Sequence, residues 1–425
     1  MNAVQQIGSI SKYGKSKHGL CATFGKLAVG FGFSGLALAA TFEQPADGVY
    51  KDRIDWGISI DMTGTASGQQ VPWTRGFQAY MRKVNESGGI HQRKVNVLVE
   101  DTHYDASLER TVYEKLVNQT PVLGISGLGS SSAQAALMPA IRSGKVPILG
   151  VYAVTRAGLE PPTPMYYAAY CAPKEMAQVG VNFFAQKLGV KAPKVAIAHM
   201  DVAGGKEFAD FVEAEVAKRG GSAKALPIKV GAADVTPQVL EIIAMKPDFV
   251  AVYGVPTPTI LLMRTMAQYG LKIPTFSIMH LGTPQIYTAL GPETGSNYHF
   301  VSCFTPGSVE EPNNTGSKEM ATWADKYGFS EFKDNINFVG GWVAGRVVAE
   351  AIARIGEEPT REKLVASMDK GFELDTKGLS SPVKYTRNDK RGLIGLRPYI
   401  YDYQAKQFKA FGQYGDYVKF VDPLK

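Results

Sequence analysis

The stretch Val122–Gly150, VLGISGLGSSSAQAALMPAIRSGKVPILG, constrains the fold more than any other part of the chain. Val122–Ser126 is a short continuous apolar run, the pattern of a buried parallel strand. Gly127, Leu128 and Gly129 give a turn able to take up unusual backbone angles. Ser130, Ser131 and Ser132 then precede a helical pattern marked by Ala135, Leu137, Met138 and Ile141, and Val146–Gly150 is a second strand. Strand, helix and strand in that order mean a βαβ unit and a parallel sheet. Ser is a preferred N-cap, because its hydroxyl accepts a hydrogen bond from a free backbone N–H. A helix start also carries unpaired N–H groups and the positive end of the helix dipole, which suit an anion. The serines therefore either cap the helix and no more, or also cradle a carboxylate.

The same alternation runs through most of the chain. Arg53–Ile60 is a strand, followed by the loop DMTGTASGQQV and a helix that Pro72 opens, with Trp73, Phe77, Met81 and Val84 at helical spacing. Val95–Glu100 is a strand, and the next helix carries Leu108, Val112 and Leu116 on one face. After a proline-containing loop and the strand Tyr166–Cys171 a second series begins: helix Lys174–Leu188, strand Val195–Ala198, helix Gly204–Arg219, strand Ala223–Ile228. Thr236-Pro237, Thr257-Pro258 and Thr283-Pro284 each read as a Thr cap with Pro at the first helical position. Strands Phe249–Tyr253 and Thr275–Ile278 separate these helices, Phe300–Phe304 is another extended run, and helices 317–327 and 336–355 follow. After a short helix near 360–369 the tail is β-like. Ligands in such sheets bind beyond the carboxyl ends of the strands. The loops that matter thus follow Ile60, Ser126, Gly150, Ala198, Tyr253 and Ile278.

A length of 425 residues allows two domains. The formal charge of +7 includes Lys12, Lys15, Lys17 and Lys26, and residues 1–39 carry no acid. Without those four lysines the balance is +3, which gives no reason to expect nucleic acid as a partner. The same lysines precede an apolar run, Leu27–Ala40, and the small-x-small site Ala37-Leu38-Ala39, so residues 1–39 read as a cleaved signal peptide. The run is shorter than the ~20 residues of a membrane span, and no other segment is read as a span. The mature protein is expected to be soluble and periplasmic. Cys171 and Cys303 remain in that oxidising compartment; sequence alone does not pair them, and neither sits in a metal-binding Cys/His cluster.

The segments GISIDMTGTAS, KVNESGGI, VEDTHYDAS, GISGLGSSSAQA, VPILG, KPDFVAVYG and FVGGWVAGRVVAEAI, in that order over most of residues 53–355, resemble the periplasmic solute-binding proteins of branched-chain amino-acid (Leu/Ile/Val) ABC transporters. The resemblance implies the type I periplasmic binding fold: α/β, with two Rossmann-like lobes of parallel sheet joined by three hinge crossovers. Lobe 1 would be 53–167 plus 304–372, and lobe 2 would be 172–299 plus 378–425. The crossovers would lie near 166–172, 299–305 and 374–386. Cys171 and Cys303 fall in the first two, which run side by side in the family, as a disulfide or as two buried thiols. The family cradles a carboxylate at the serine turn, a role that carries over to Ser130 with Ser131 beside it. A second contact comes from Tyr152–Thr155. Amino-acid binders place an acid after the strand matching Thr275–Ile278 to hold the ligand's ammonium, where this chain has Met279-His280-Leu281. A buried ammonium without a carboxylate is costly, although Asp201 could take that role.

The expected ligand is therefore a small carboxylate with an apolar or aromatic body, bound between the lobes and delivered to a membrane permease. The alternatives are a branched-chain or other amino acid as cargo, or a periplasmic ligand sensor. The candidate ligand-binding residues are Ser130, Ser131, Tyr152, Thr155, Gln70, Trp73, Asp201, Pro256 and His280, with Tyr104 and Tyr253 near the cleft; each aromatic could instead pack internally. No enzyme activity, cofactor or metal is expected: there is no G-x-S-x-G elbow, and the six His show no H-E-x-x-H or similar spacing.

Overall fold

The strand RIDWGISI is buried at seven of its eight positions, as a strand covered by helices on both faces must be. A computed structural model describes residues 47–309, 311 and 314–418, so the expected signal peptide lies outside the described residues. The strand is β1 (Arg53–Ile60) in a five-stranded parallel sheet with β2 (Lys94–Asp101), β3 (Ile125–Gly127), β4 (Ile148–Val151) and β5 (Tyr166–Ala168). The spatial order is β2-β1-β3-β4-β5. Between the strands run α1 (Ser67–Glu86), α2 (Ala106–Asn118), α3 (Ser131–Ser143) and the short α4 (Arg156–Leu159). In this order the strands on either side of the β1/β3 boundary wind in opposite directions, which opens a crevice at their carboxyl ends.

The second sheet repeats the plan. Parallel strands β6 (Lys194–Met200), β7 (Ser222–Ile228), β8 (Phe249–Tyr253), β9 (Thr275–Ser277) and β10 (Tyr298–Ser302) alternate with α5 (Pro173–Leu188), α6 (Ala203–Lys218), α7 (Thr236–Met245), α8 (Pro256–Gln268) and α9 (Pro284–Gly295). After α10 (Thr315–Lys326), α11 (Ile336–Ala353), α12 (Arg361–Gly371) and the small hairpin β11 (Phe372–Leu374)–β12 (Val383–Tyr385), the chain adds β13 (Arg397–Asp402) and β14 (Gln407–Ala410) antiparallel at the edge beside β10. The order is β14-β13-β10-β9-β8-β6-β7, with its own reversal between β6 and β8.

Helix α11 lies on the first sheet, packed against α1 and β4. By length and composition it could cross a membrane, contrary to the sequence reading, but 83% of it is buried and it serves as a core helix. Glycine permits the α1–α11 approach: a Cβ on Gly341 would stand 1.8 Å from the Trp73 carbonyl oxygen, and one on Gly76 2.1 Å from that of Phe338. Cys171 and Cys303 form a disulfide, with Cα atoms 5.6 Å apart. It ties the segment leaving β5 for the second sheet to the segment leaving β10 for the first.

Several helix starts depart from the reading. Helix α1 begins at Ser67, so Pro72 lies inside it, where its missing N–H forfeits one hydrogen bond. The three Thr-Pro pairs are not three capped starts. Thr236 is already helical, Thr257 follows Pro256, and Thr283, the one true N-cap position, makes no side-chain cap bond. Proline at the first turn carries the signal in all three; the Thr hydroxyls do not.

Candidate ligand cleft

The loops at the carboxyl ends of the two sheets face each other across a narrow cleft. The first sheet contributes Ala66, Gln69 and Gln70 after β1, Tyr104 after β2, Gly129 and Ser131 after β3, and Tyr152 and Ala153 after β4. The second contributes Met200 at the end of β6, Tyr253, Gly254 and Val255 at and just after the end of β8, and Ile278 and His280 after β9. None of these side chains is an Asp, Glu, Lys or Arg.

The turn between β3 and α3 is built as its sequence implied. Gly127 and Leu128 both have positive φ, +92° and +57°. A non-glycine in that region costs on the order of 1–3 kcal/mol, and surrounding hydrogen bonds fix it. Leu128 N–H donates to the Ser59 carbonyl at 2.7 Å, and the Leu128 carbonyl accepts from Gln134 Nε2 at 2.8 Å. Ser130 is the N-cap of α3 and its hydroxyl accepts from Ala133 N–H at 3.2 Å. That bond uses the hydroxyl only as an acceptor and leaves its O–H as a donor, while Ser131 faces the cleft. Ser131 Oγ accepts from Gly204 N–H at 3.0 Å, and Ser132 Oγ from Ala203 N–H at 3.4 Å. The mouth of α3 thus meets the mouth of α6 across the cleft, and the start of α8 adjoins them through Gly254 and Val255. No acidic residue occupies the first turn of α3, α6 or α8, and neither α6 nor α8 has a side-chain cap. First-turn N–H groups have no partner within their helix; those of Ala203 and Gly204 are met here by the Ser132 and Ser131 hydroxyls, and the positive ends of the three helices converge on an uncharged lining.

The other wall is aromatic. His280 stacks on Tyr152 (centroids 4.8 Å) and Tyr170 (5.0 Å). Asn337, in the first turn of α11, holds this stack: its Oδ1 accepts from Tyr152 Oη at 3.2 Å and Tyr170 Oη at 2.7 Å, and its Nδ2 donates to the His280 carbonyl at 3.1 Å. Burial lowers the His280 pKa to about 4, only partly offset by the hydrogen bond to Asn337. The ring is therefore neutral at pH 7. Burial likewise raises the Tyr104 hydroxyl to about 12 and holds Tyr152 and Tyr253 well above the ordinary phenol value. All present neutral hydroxyls.

Of the nine candidate residues, Gln70, Ser131, Tyr152 and His280 line the cleft. Gln70 is also a brace, with Oε1 accepting from Asp61 N–H and Nε2 donating to the Gly129 carbonyl. Pro256 is the first residue of α8, next to the lining Val255. Ser130, Thr155, Trp73 and Asp201 are not among the lining side chains, although Ser130 lies between the lining Gly129 and Ser131. Ser130 and Thr155 cap their own helices; the Thr155 hydroxyl accepts from Gly158 N–H at 3.3 Å. Trp73 is wholly buried beneath the wall, packed on Phe77 and Tyr152. The Asp201 side chain is 47% exposed and pairs with Lys206 at 2.9 Å, so it offers no counter-charge inside the cleft. Gln69, Tyr170 and Asn337 also build the cleft and its wall, and no local sequence pattern singles them out. Asn335 caps α11, its side chain accepting from Asn337 N–H at 3.0 Å, and nothing in the sequence points Asn337 at two tyrosines.

The family model described as periplasmic binding protein matches residues 54–400. No curated protein matches the chain. Among solved structures, the chain is similar to a fatty acid ABC transporter substrate-binding protein from Thermomonospora curvata (22% identity, TM-score 0.76, covering 89% of this chain and 96% of that one). It is also similar to a branched-chain amino acid ABC transporter protein from Thermus thermophilus with bound valine (17%, 0.74, 86% and 97%) and to a leucine-binding protein from Thermotoga maritima (17%, 0.71, 85% and 99%). At these identities the likeness is one of fold, and the fold is the two-lobed type I arrangement described above. With a family match spanning most of its length and that architecture, the chain belongs to the periplasmic binding protein family.

Proposed function

We propose that this protein is an exported solute-binding component of an ABC importer. Its cleft takes a small carboxylate with an apolar or aromatic body and hands it to a membrane permease. One observation carries the ligand class: the starts of α3, α6 and α8, free of acidic residues in their first turns, meet in a cleft whose lining has no charged side chain. Each such helix start favours an anion by about 0.3–1 kcal/mol, more where partly buried. Charge-assisted hydrogen bonds from the N–H groups add roughly 1.5–3 kcal/mol each. The same lining offers no carboxylate to an ammonium group, which disfavours an α-amino acid. Tyr104, Tyr152, Tyr253 and Met200 suit an apolar body. The Thermomonospora and Thermus relatives, described as fatty acid and branched-chain amino acid transport proteins, both belong to systems whose cargo bears a carboxylate.

Ser131 and Gly204 hydrogen-bond directly across the cleft, so a ligand is admitted when the lobes part and retained when they close. The ligand favours the closed form by its contacts to both lobes. Calorimetric titration of the mature protein with benzoate, hexanoate and leucine tests the reading. One of the two simple acids is expected to bind more tightly than leucine. Leucine binding tightest overturns the ligand class.

A further inference from the structure

Glu109 lies on the buried face of α2 and is 0% exposed. Neither carboxyl oxygen completes a hydrogen bond of ordinary geometry, and no described Lys or Arg pairs with it. What reaches it is the mouth of α3: the backbone N–H groups of Gly129 and Ser130 lie near enough to favour its ionised form. Burial outweighs them and pushes its pKa up to about 8, with a smaller contribution from Asp61. The titratable groups acting on it are Asp61, on the loop after β1, and Tyr104, on the loop ahead of α2. Asp61 is itself buried, its oxygens accepting from the N–H groups of Thr63, Gly64 and Ala66. Helix α3 bears no charged side chain before Arg142 in its last turn, and the first two turns of α1 bear none. The Gly129–Ser131 segment thus has the cleft on one side and a buried, under-bonded carboxyl on the other.

We propose that Glu109 makes anion binding in the cleft proton-linked: a carboxylate ligand settles at the mouth of α3 only with Glu109 protonated. An ionised Glu109 would set a second negative charge against the same N–H groups. With Glu109 neutral, those groups and the dipole behind them act on the ligand alone. The ligand enters as an anion, Glu109 takes one proton from solvent, and the proton returns to solvent on release. Glu109 is a positioning residue, acting through Gly129 and Ser130 rather than touching the cargo.

This inference rests on the carboxylate reading above. The test uses benzoate and hexanoate as probes on the full mature protein. Titrations at pH 7, 8 and 9 in HEPES and in Tris, whose ionisation heats differ, report proton uptake; a fraction of a proton per ligand that grows as the pH rises is expected. The dissociation constant should be flat below about pH 7 and weaken toward tenfold per pH unit above about 8. In Glu109→Gln, a neutral isostere, both the uptake and this pH dependence should vanish. Because the uptake is measured on the unmodified protein, it stands even if the variant folds poorly. Binding of either acid with no proton uptake and no weakening at high pH overturns the role of Glu109 alone. No binding of either acid at any pH overturns the carboxylate reading, and this inference with it.

Discussion

Asn337 is the residue on which the aromatic wall of the cleft depends, and Asn337→Ala should show it. The substitution removes the acceptor shared by the Tyr152 and Tyr170 hydroxyls and the donor to the His280 carbonyl. Asn337, Tyr152 and Tyr170 are each 3% exposed or less, so water cannot easily replace the lost partners. A buried polar group left without a partner costs about 1–3 kcal/mol. Three groups are affected, and Tyr170 retains a contact of 3.4 Å with His280 Nδ1. A net loss of roughly 3 kcal/mol follows. Urea unfolding followed by fluorescence measures it, with the slope m expected to stay constant while the midpoint falls. Tyr170→Phe, alone and combined with Asn337→Ala, closes a double-mutant cycle; residues sharing one hydrogen-bond network should couple by about 1 kcal/mol or more. A cost below about 1 kcal/mol with no coupling would refute the view that Asn337 organises the wall.

Three further outcomes test the fold and its electrostatics. Cys171→Ser with Cys303→Ser opens a loop closed across a separation of 132 residues; the chain-entropy model sets the loss at up to ~5 kcal/mol, and alkylation of the mature wild type without reductant should leave its mass unchanged. Gly341→Ala drives a methyl into the Trp73 carbonyl at 1.8 Å and should cost about 1–3 kcal/mol or more, whereas Gly68→Ala, with nothing within 4 Å, should gain about 0.5–1 kcal/mol; comparing their unfolding midpoints checks both. His280 and His299 are held neutral by burial, with folded pKa values of about 4 and about 3 against an ordinary value near 6.5. Between those limits the unfolded chain binds more protons, so stability is full above about pH 6.5 and falls as pH drops toward 4; His280→Gln should flatten part of that acid limb in urea titrations at several pH values.

The repeating strand–helix order was legible because both sheets are buried on two faces, so their strands appear as unbroken apolar runs such as VAIA and FVAVY. The turn at Gly127–Ser130 was legible for a local reason, since its glycines and capping serine act within a few residues. Side-chain duties set by tertiary contact were not. Trp73 and Thr155 have the chemistry of ligand contacts, but one packs into the core and the other caps a four-residue helix. Asp201 follows the lining Met200 in sequence, yet its side chain is half-exposed and pairs with Lys206. Glu109 did leave a trace: it is in helical register with the buried Val112, Tyr113 and Leu116, whereas Leu108, taken as part of the apolar face, is only half-buried. An acid on an apolar stripe is a signal in one dimension; that it backs onto the Ser130 turn needed the third.

The account stands on an anion held where helix starts converge, and charge is what a titration can isolate. Benzoate and hexanoate, compared with benzamide and hexanamide by calorimetry at pH 6.5, keep the body constant, remove the negative charge and exchange one acceptor oxygen for an NH2 donor. A charge-assisted hydrogen bond contributes roughly 1.5–3 kcal/mol against about 0.5–1.5 kcal/mol for a neutral one, so two of them predict that whichever acid binds does so at least about tenfold more tightly than its amide. Equal affinity for acid and amide would contradict it.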